Sequence, residues 1–176
     1  MSSMSHHDQI TQGHAVMLSV LQSRTMRLNA ALTFWKNDDI IQLISYILRT
    51  DDDSLLVDIL PFLTQRLAEN EKHKHAVTLG VCVDLLPVIE RLLKKKYEDY
   101  VVVSLDFIRT IVKTWYRELS NMKNSRNYQS LNASLNLPPV YSSLLSLHDL
   151  IQRLANKSGP VATKAKVVHE MLNHLK

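Results

Sequence analysis

The stretch "DLLPVIERLLKKKYEDYVVVSL", residues 84–105, decides how the chain is read. Leu85, Leu86, Ile89, Leu92 and Leu93 repeat at helical spacing, and three lysines follow. Cations suit the carbonyl end of a helix, and the acids Glu98 and Asp99 suit the amide end of the next. The charge reversal therefore marks a corner between two helices, made without glycine. "VVVS" has strand-forming residues, but Val101, Leu105, Ile108, Val112, Trp115 and Leu119 continue a 3.6-residue period, which favours helix. Tyr97 and Tyr100 are three apart and share one face of the new helix. They read either as a staple for the corner or as a binding groove, since two amphipathic rings beside Arg91, Lys94, Lys95 and Lys96 offer contact area and hydrogen bonds at small entropic cost.

Outward from this corner the same pattern recurs. Ile40, Ile41, Leu43, Ile44, Ile47 and Leu48 form one helical face, which Asp38 or Asp39 can cap. Helices are expected at about 8–23, 25–36, 52–68, 77–95, 97–122 and 139–156, with a last one after Ser158-Gly159-Pro160, where proline fits a first turn. "NMKNSRNYQSLNASLNL", residues 121–137, reads as a flexible loop. "DILPFL" (58–63) and "DLLPVI" (84–89) echo each other, and each proline should kink its helix by removing one backbone hydrogen bond. The expectation is a single all-α domain over 1–176, a HEAT-like or helical-repeat array of about seven to eight antiparallel helices kinked at Pro61 and Pro87, with a C-terminal helical pair over 138–176.

Composition agrees. The 176 residues include three glycines, five prolines and one cysteine, so neither a sheet nor a disulfide framework is indicated. Apolar runs fall far short of the roughly 20 residues that span a bilayer, and no secretory start is visible, so an intracellular protein without membrane contact is expected. The net charge of +4 is unevenly spread. Residues 38–58 hold six acids, among them Asp51, Asp52 and Asp53, against Arg49 alone, whereas 91–126 hold nine bases against four acids. Each patch can steer a partner of opposite sign.

The chemistry of catalysis is missing. Three scattered glycines cannot cradle a phosphate, and no nucleotide-binding fingerprint occurs. In "HEMLNH" (169–174) the histidines are five apart and point about 140° from each other on a helix, so they cannot share a metal. "HKH" (73–75) reads as a solvated loop, and Cys82 in "GVCVDLL" as an inert core thiol. The chain reads as non-enzymatic, with no cofactor and no catalytic or metal residue.

"LPVIERLLKKKYEDYV" (86–101) resembles the L-P-x-I-E-x-L-L-x-x-K-Y-E-x-Y-V stretch in the C-terminal domain of katanin regulatory B-type subunits. "GHAVMLSVLQSR" (13–24), "FWKNDDI" (34–40, with Trp35 before its polar turn) and "SLLVDIL" (54–60) resemble the same domain in the same order. Together they cover about residues 10–120, and "NKSG" (156–159) adds a fragment. The resemblance is strongest to the form that lacks a propeller. It implies a non-catalytic domain that pairs with the N-terminal microtubule-interacting and trafficking domain of the katanin ATPase subunit, as a heterodimer, and modulates microtubule severing. It also implies a groove beside Tyr100 that takes short motifs of spindle-pole or minus-end proteins, and residence in the nucleus and at the cytoskeleton and spindle poles. Where the family's main subunit has a basic residue serving that groove, this sequence reads "LNLPPVYSS". Trp35, Tyr97 and Tyr100 are thus the candidate partner contacts. Two alternatives stand beside this reading: a generic helical-repeat scaffold for other peptides, and direct binding of microtubules through the basic 91–126 region.

Overall fold

The computed structural model describes residues 5–69, 76–124 and 135–176. Among them the chain is an all-α array of nine helices without a strand: α1 (His6–Lys36), α2 (Ile40–Thr50), α3 (Asp53–Ala68), α4 (Leu79–Leu93), α5 (Glu98–Thr114), α6 (Tyr116–Asn124), α7 (Leu137–Ser146), α8 (His148–Ala155) and α9 (Pro160–Leu175). They group into two compact units, residues 1–55 and 56–176, the division falling in the first turn of α3.

In the first unit, α1 is one helix where two were expected. Its start is fixed by a capping box: Ser5 Oγ accepts from the Asp8 amide at 3.2 Å, and Asp8 Oδ2 accepts from the Ser5 amide at 3.3 Å. Helix α2 starts as expected from Asp39, whose Oδ1 accepts from the Gln42 amide at 3.1 Å. It buries Ile40, Leu43, Ile44 and Ile47. The C-terminal part of α1, with Ala31 buried, packs on α2, where Phe34 and Tyr46 meet at 5.8 Å between ring centroids.

In the second unit α5 is the central helix. Ser104, Leu105, Phe107, Ile108, Ile111 and Val112 are all buried on it, and it packs on α4 and α9. The Ser104 hydroxyl is satisfied inside this core by donating to the Tyr100 carbonyl at 2.7 Å. Helix α4 also packs on α7, and α8 on α9. Pro61 and Pro87 lie inside α3 and α4 rather than ending them. Each leaves the carbonyl four residues earlier, on Val57 and Val83, without its helical donor.

Two expected helices are divided. The 97–122 pattern breaks at Trp115, yet Trp115 donates to Ile111 at 3.2 Å and accepts from Leu119 at 2.9 Å. The register survives and Leu119 stays buried, so periodicity alone cannot locate the break. The 139–156 pattern breaks at Leu147, whose amide takes the tighter bond to Leu144 at 3.2 Å. Merging one pair and dividing two others turns eight expected segments into nine. Residues 121–124, expected in the loop, are the end of α6. Loop residues 125–134, and His73 and His75, lie outside the described residues.

Candidate partner-binding surfaces

The opening corner is built as its charges suggest. Helix α4 ends at Leu93, and the Lys94 and Lys95 amides donate back to Arg91 at 3.2 Å and Leu92 at 3.0 Å. Lys94 Nζ pairs with Glu90 at 2.6 Å within its own helix. Lys95 and Lys96 are exposed and Arg91 is half-buried. Tyr97 precedes the first residue of α5 and makes no side-chain cap there, so its ring is free for other contacts. That ring is 56% exposed. It meets the half-buried Tyr100 at 5.2 Å between centroids, tilted by 48°. Lys96 Nζ lies 5.9 Å from the Tyr97 centroid, at the outer limit of a cation–π contact. Tyr97, Glu98, Asp99 and Tyr100 line an open recess of about 370 Å³. The tyrosines therefore brace each other while one keeps more than half its surface in solvent.

Asp51, Asp52 and Asp53 lie in the first unit, and each serves the α2–α3 junction. Asp51 takes the left-handed conformation at the end of α2, with φ of 47°. Asp52 caps α3: its Oδ1 accepts from the Ser54 amide at 3.0 Å, the Leu55 amide at 3.3 Å and the Ser54 hydroxyl at 2.7 Å. Its Oδ2 pairs with Arg27 of α1 at 2.6 Å. Partial burial pushes the Asp52 carboxyl up, but the donors on Ser54, Arg27 and Leu55 outweigh it and hold the group below its ordinary range. Asp53 is the first residue of α3, where a negative charge meets the positive end of the helix dipole. Trp35 is half-buried in the last turn of α1.

The sequence did not disclose an uncovered apolar surface on α1. On α1, Ile10 is 62% exposed, Val16 58%, Met17 55%, Leu18 45%, Val20 62% and Leu21 53%. The available signal was charge: Gln9–Ser23 contains no Asp, Glu, Lys or Arg, which is unusual for a helix facing water.

Elsewhere the structure gives quieter roles. The His169 ring of the "HEMLNH" segment meets that of His148 at 4.6 Å between centroids, tilted by 41°, and His148 Nε2 meets Asn173 Oδ1 at 2.7 Å, tying α8 to α9. Cys82 is fully buried. Among the described residues no group of three His, Cys, Asp or Glu side chains could hold a metal ion. No described helix is long and apolar enough to cross a membrane.

An all-α array with exposed aromatic and aliphatic surface is the class of a helical interaction domain. Family comparison makes the assignment specific: residues 12–172 match the con80 domain of Katanin, and the chain belongs to that family. It is similar to mouse (Mus musculus) KATNB1-like protein 1, with 42% identity over 113 residues, 64% of this chain and 37% of that protein. It is also similar to the Katanin p80 WD40 repeat-containing subunit B1 of Xenopus tropicalis, with 25% identity over 172 residues, 95% of this chain and 25% of that protein. The same-named subunit of Gallus gallus is 30% identical over 105 residues, 60% of this chain and 15% of that protein. The chain thus spans at most 37% of the length of these relatives.

Proposed function

We propose that this chain is a non-catalytic domain that binds the N-terminal microtubule-interacting and trafficking domain of the katanin ATPase subunit and thereby modulates microtubule severing. The con80 match over residues 12–172 carries this reading. The tyrosine corner supports it, because the K-Y-E-x-Y pattern that marks the family corresponds here to a tilted ring pair with one ring exposed. In this reading Tyr100 faces the groove that receives short motifs of spindle-pole or minus-end proteins, and the complex works in the nucleus and at spindle poles. Asp51, Asp52 and Asp53 are fixed in the helix junction, so their share in partner steering is small beside that of exposed apolar surface.

Isothermal titration of the chain with that N-terminal domain tests the proposal. A one-to-one complex of submicromolar affinity is expected, and Tyr100→Ala should weaken it about tenfold or more, as truncating an aromatic anchor does. No heat from the unsubstituted chain at tens of micromolar would refute the function. Unchanged affinity of Tyr100→Ala would remove that residue from the pairing surface.

A further inference from the structure

We infer that His148, His169 and Asn173, at the joint of α8 and α9, form a binding site for a divalent transition-metal ion of the zinc class, with Asp149 orienting His148 from behind.

In sequence His169 has no metal partner, because His174 lies five residues on. In the fold His174 turns away, its Nδ1 donating to the Glu170 carbonyl at 2.7 Å within α9. His169 gains two other companions. Asn173 stands one turn further along α9, the i, i+4 spacing that places two side chains over one ion. His148, the first residue of α8, brings its ring to 4.6 Å from that of His169, centroid to centroid.

Lone pairs converge at this point. His148 Nδ1 meets Asp149 Oδ1 at 3.0 Å, and a carboxylate only accepts, so Nδ1 carries the hydrogen and Nε2 of the neutral ring is bare. That Nε2 faces Asn173 Oδ1, also an acceptor, at 2.7 Å. On its other side the same amide reaches His169 Nδ1 with Nδ2 at 3.5 Å, beyond the usual range of a hydrogen bond. His169 Nε2 is buried without a hydrogen-bond partner among the described residues. One amide thus stands between two imidazoles and serves neither well. A metal ion there accepts from both facing nitrogens and from the amide oxygen.

The distances suit zinc. Bonds of about 2.0–2.1 Å at tetrahedral angles set ligand atoms about 3.3 Å apart and two imidazole centroids about 5 Å apart. From 2.7 Å and 4.6 Å, both openings are about half an ångström, which side-chain torsions absorb. Two imidazoles select zinc, copper or nickel over calcium or magnesium, and the fourth position is left to water. The third ligand is an amide oxygen, so the set lies outside groups of three His, Cys, Asp or Glu. A carboxylate on the far nitrogen is how metal-binding histidines are fixed in tautomer and orientation. The Asp149 side chain is 84% exposed and that of His148 only 9%, so the orienting group sits at the surface and the ligand just inside. Bound metal would fasten α8 to α9.

Calorimetric titration of the full chain with zinc chloride at pH 7 tests the site, with Tm read at about 100 times the measured Kd. One site of micromolar Kd is expected, with a rise in Tm of about 5 °C or more. His148→Gln and His169→Gln should each weaken it about 30-fold or more, and the surface variant Asp149→Asn about tenfold. Asn173→Asp puts a charged oxygen in the same position and should tighten it about tenfold. His174→Gln should change nothing. Should circular dichroism show that a histidine variant does not fold, Asp149→Asn and Asn173→Asp decide alone. Zinc binding that survives in both histidine variants is adventitious, as at the exposed His6 and His7, and overturns the site. Loss in only one of them overturns the shared ion, and failure of Asn173→Asp to tighten overturns the three-ligand set. No zinc binding by the unsubstituted chain overturns the whole inference and leaves the proposed function untouched.

Discussion

Replacing Asp52 separates two interactions made by the two oxygens of one carboxylate. Oδ1 caps α3 through the Ser54 and Leu55 amides, and Oδ2 pairs with Arg27. Loss of an N-cap costs about 1 kcal/mol. The ion pair is worth about 0.5 kcal/mol, since the Arg27 side chain is 43% exposed and screened, although that of Asp52 is only 16% exposed. Asp52→Ala should therefore destabilise the chain by about 1.5 kcal/mol, which is a fall in Tm of about 3–6 °C at this size. Asp52→Asn keeps an acceptor for the cap and loses only the charge, so about 0.5 kcal/mol is expected. Arg27→Met should cost a similar amount in the wild type and nothing in the Asp52→Ala background. Urea unfolding followed by circular dichroism measures all four. The folded-state pKa of Asp52 lies below its ordinary 3.8, so its stabilisation is complete above that value and lost as pH falls through the folded pKa. The gap between wild type and Asp52→Ala should accordingly hold at pH 5–7 and narrow by the charge-dependent share, about 0.5 kcal/mol, below pH 3.8. The reasoning is refuted if Asp52→Asn costs as much as Asp52→Ala, or if the gap persists unchanged in acid.

Two further predictions concern the second unit. Burial pushes the Cys82 thiol up to about 12 and leaves it no exposed surface, so Ellman's reagent should not modify it in the native chain at pH 8, and one thiol should appear on denaturation; rapid native labelling would contradict its burial. Gly159 has φ of 86° and ψ of −167° just before α9, a region reserved for glycine, and a Cβ there would meet nothing within 4 Å. Gly159→Ala should thus cost about 1–3 kcal/mol from backbone strain alone, and an unchanged urea midpoint would show that the turn relaxes freely.

What the sequence made legible followed from local chemistry. The corner at Lys94–Tyr100 was readable because charge sign, cap position and apolar period all change within seven residues. Asp39 as a cap, Pro160 in a first turn and Val101–Ser104 as helix were readable on the same local grounds. The breaks at Trp115 and Leu147 were not, because a one-residue interruption that keeps the next i to i+4 bond does not shift the pattern. Nor did periodicity reveal which face of α1 stays wet: Met17 and Leu28 read alike in sequence, and only tertiary packing separates the exposed one from the half-buried one. The three aspartates show a related limit of local reading. A run of acids resembles a steering patch, and helix ends recruit the same residues to satisfy amides and oppose dipoles, so the run alone does not separate the two roles.

The exposed N-terminal part of α1 draws its helicity from elsewhere. A helix gains most of its stability from packing, and short segments without it are marginal in water. Residues 6–26 have almost no packing, so they depend on the Ser5–Asp8 capping box at one end and on propagation from the packed turns near Ala31 at the other. That makes Arg27–Asp52 more than a junction ornament. It fastens α1 to the start of α3 one turn before Ala31, where the exposed segment begins, and so holds the last packed turn from which helix propagates. A glycine at position 13 with nothing within 4 Å of its absent side chain costs helix stability and gains nothing in the free chain. Gly13→Ala should therefore stabilise the chain by up to about 1 kcal/mol, read as a higher urea midpoint; an unchanged midpoint would show that this part of α1 draws no stability from its own propensity.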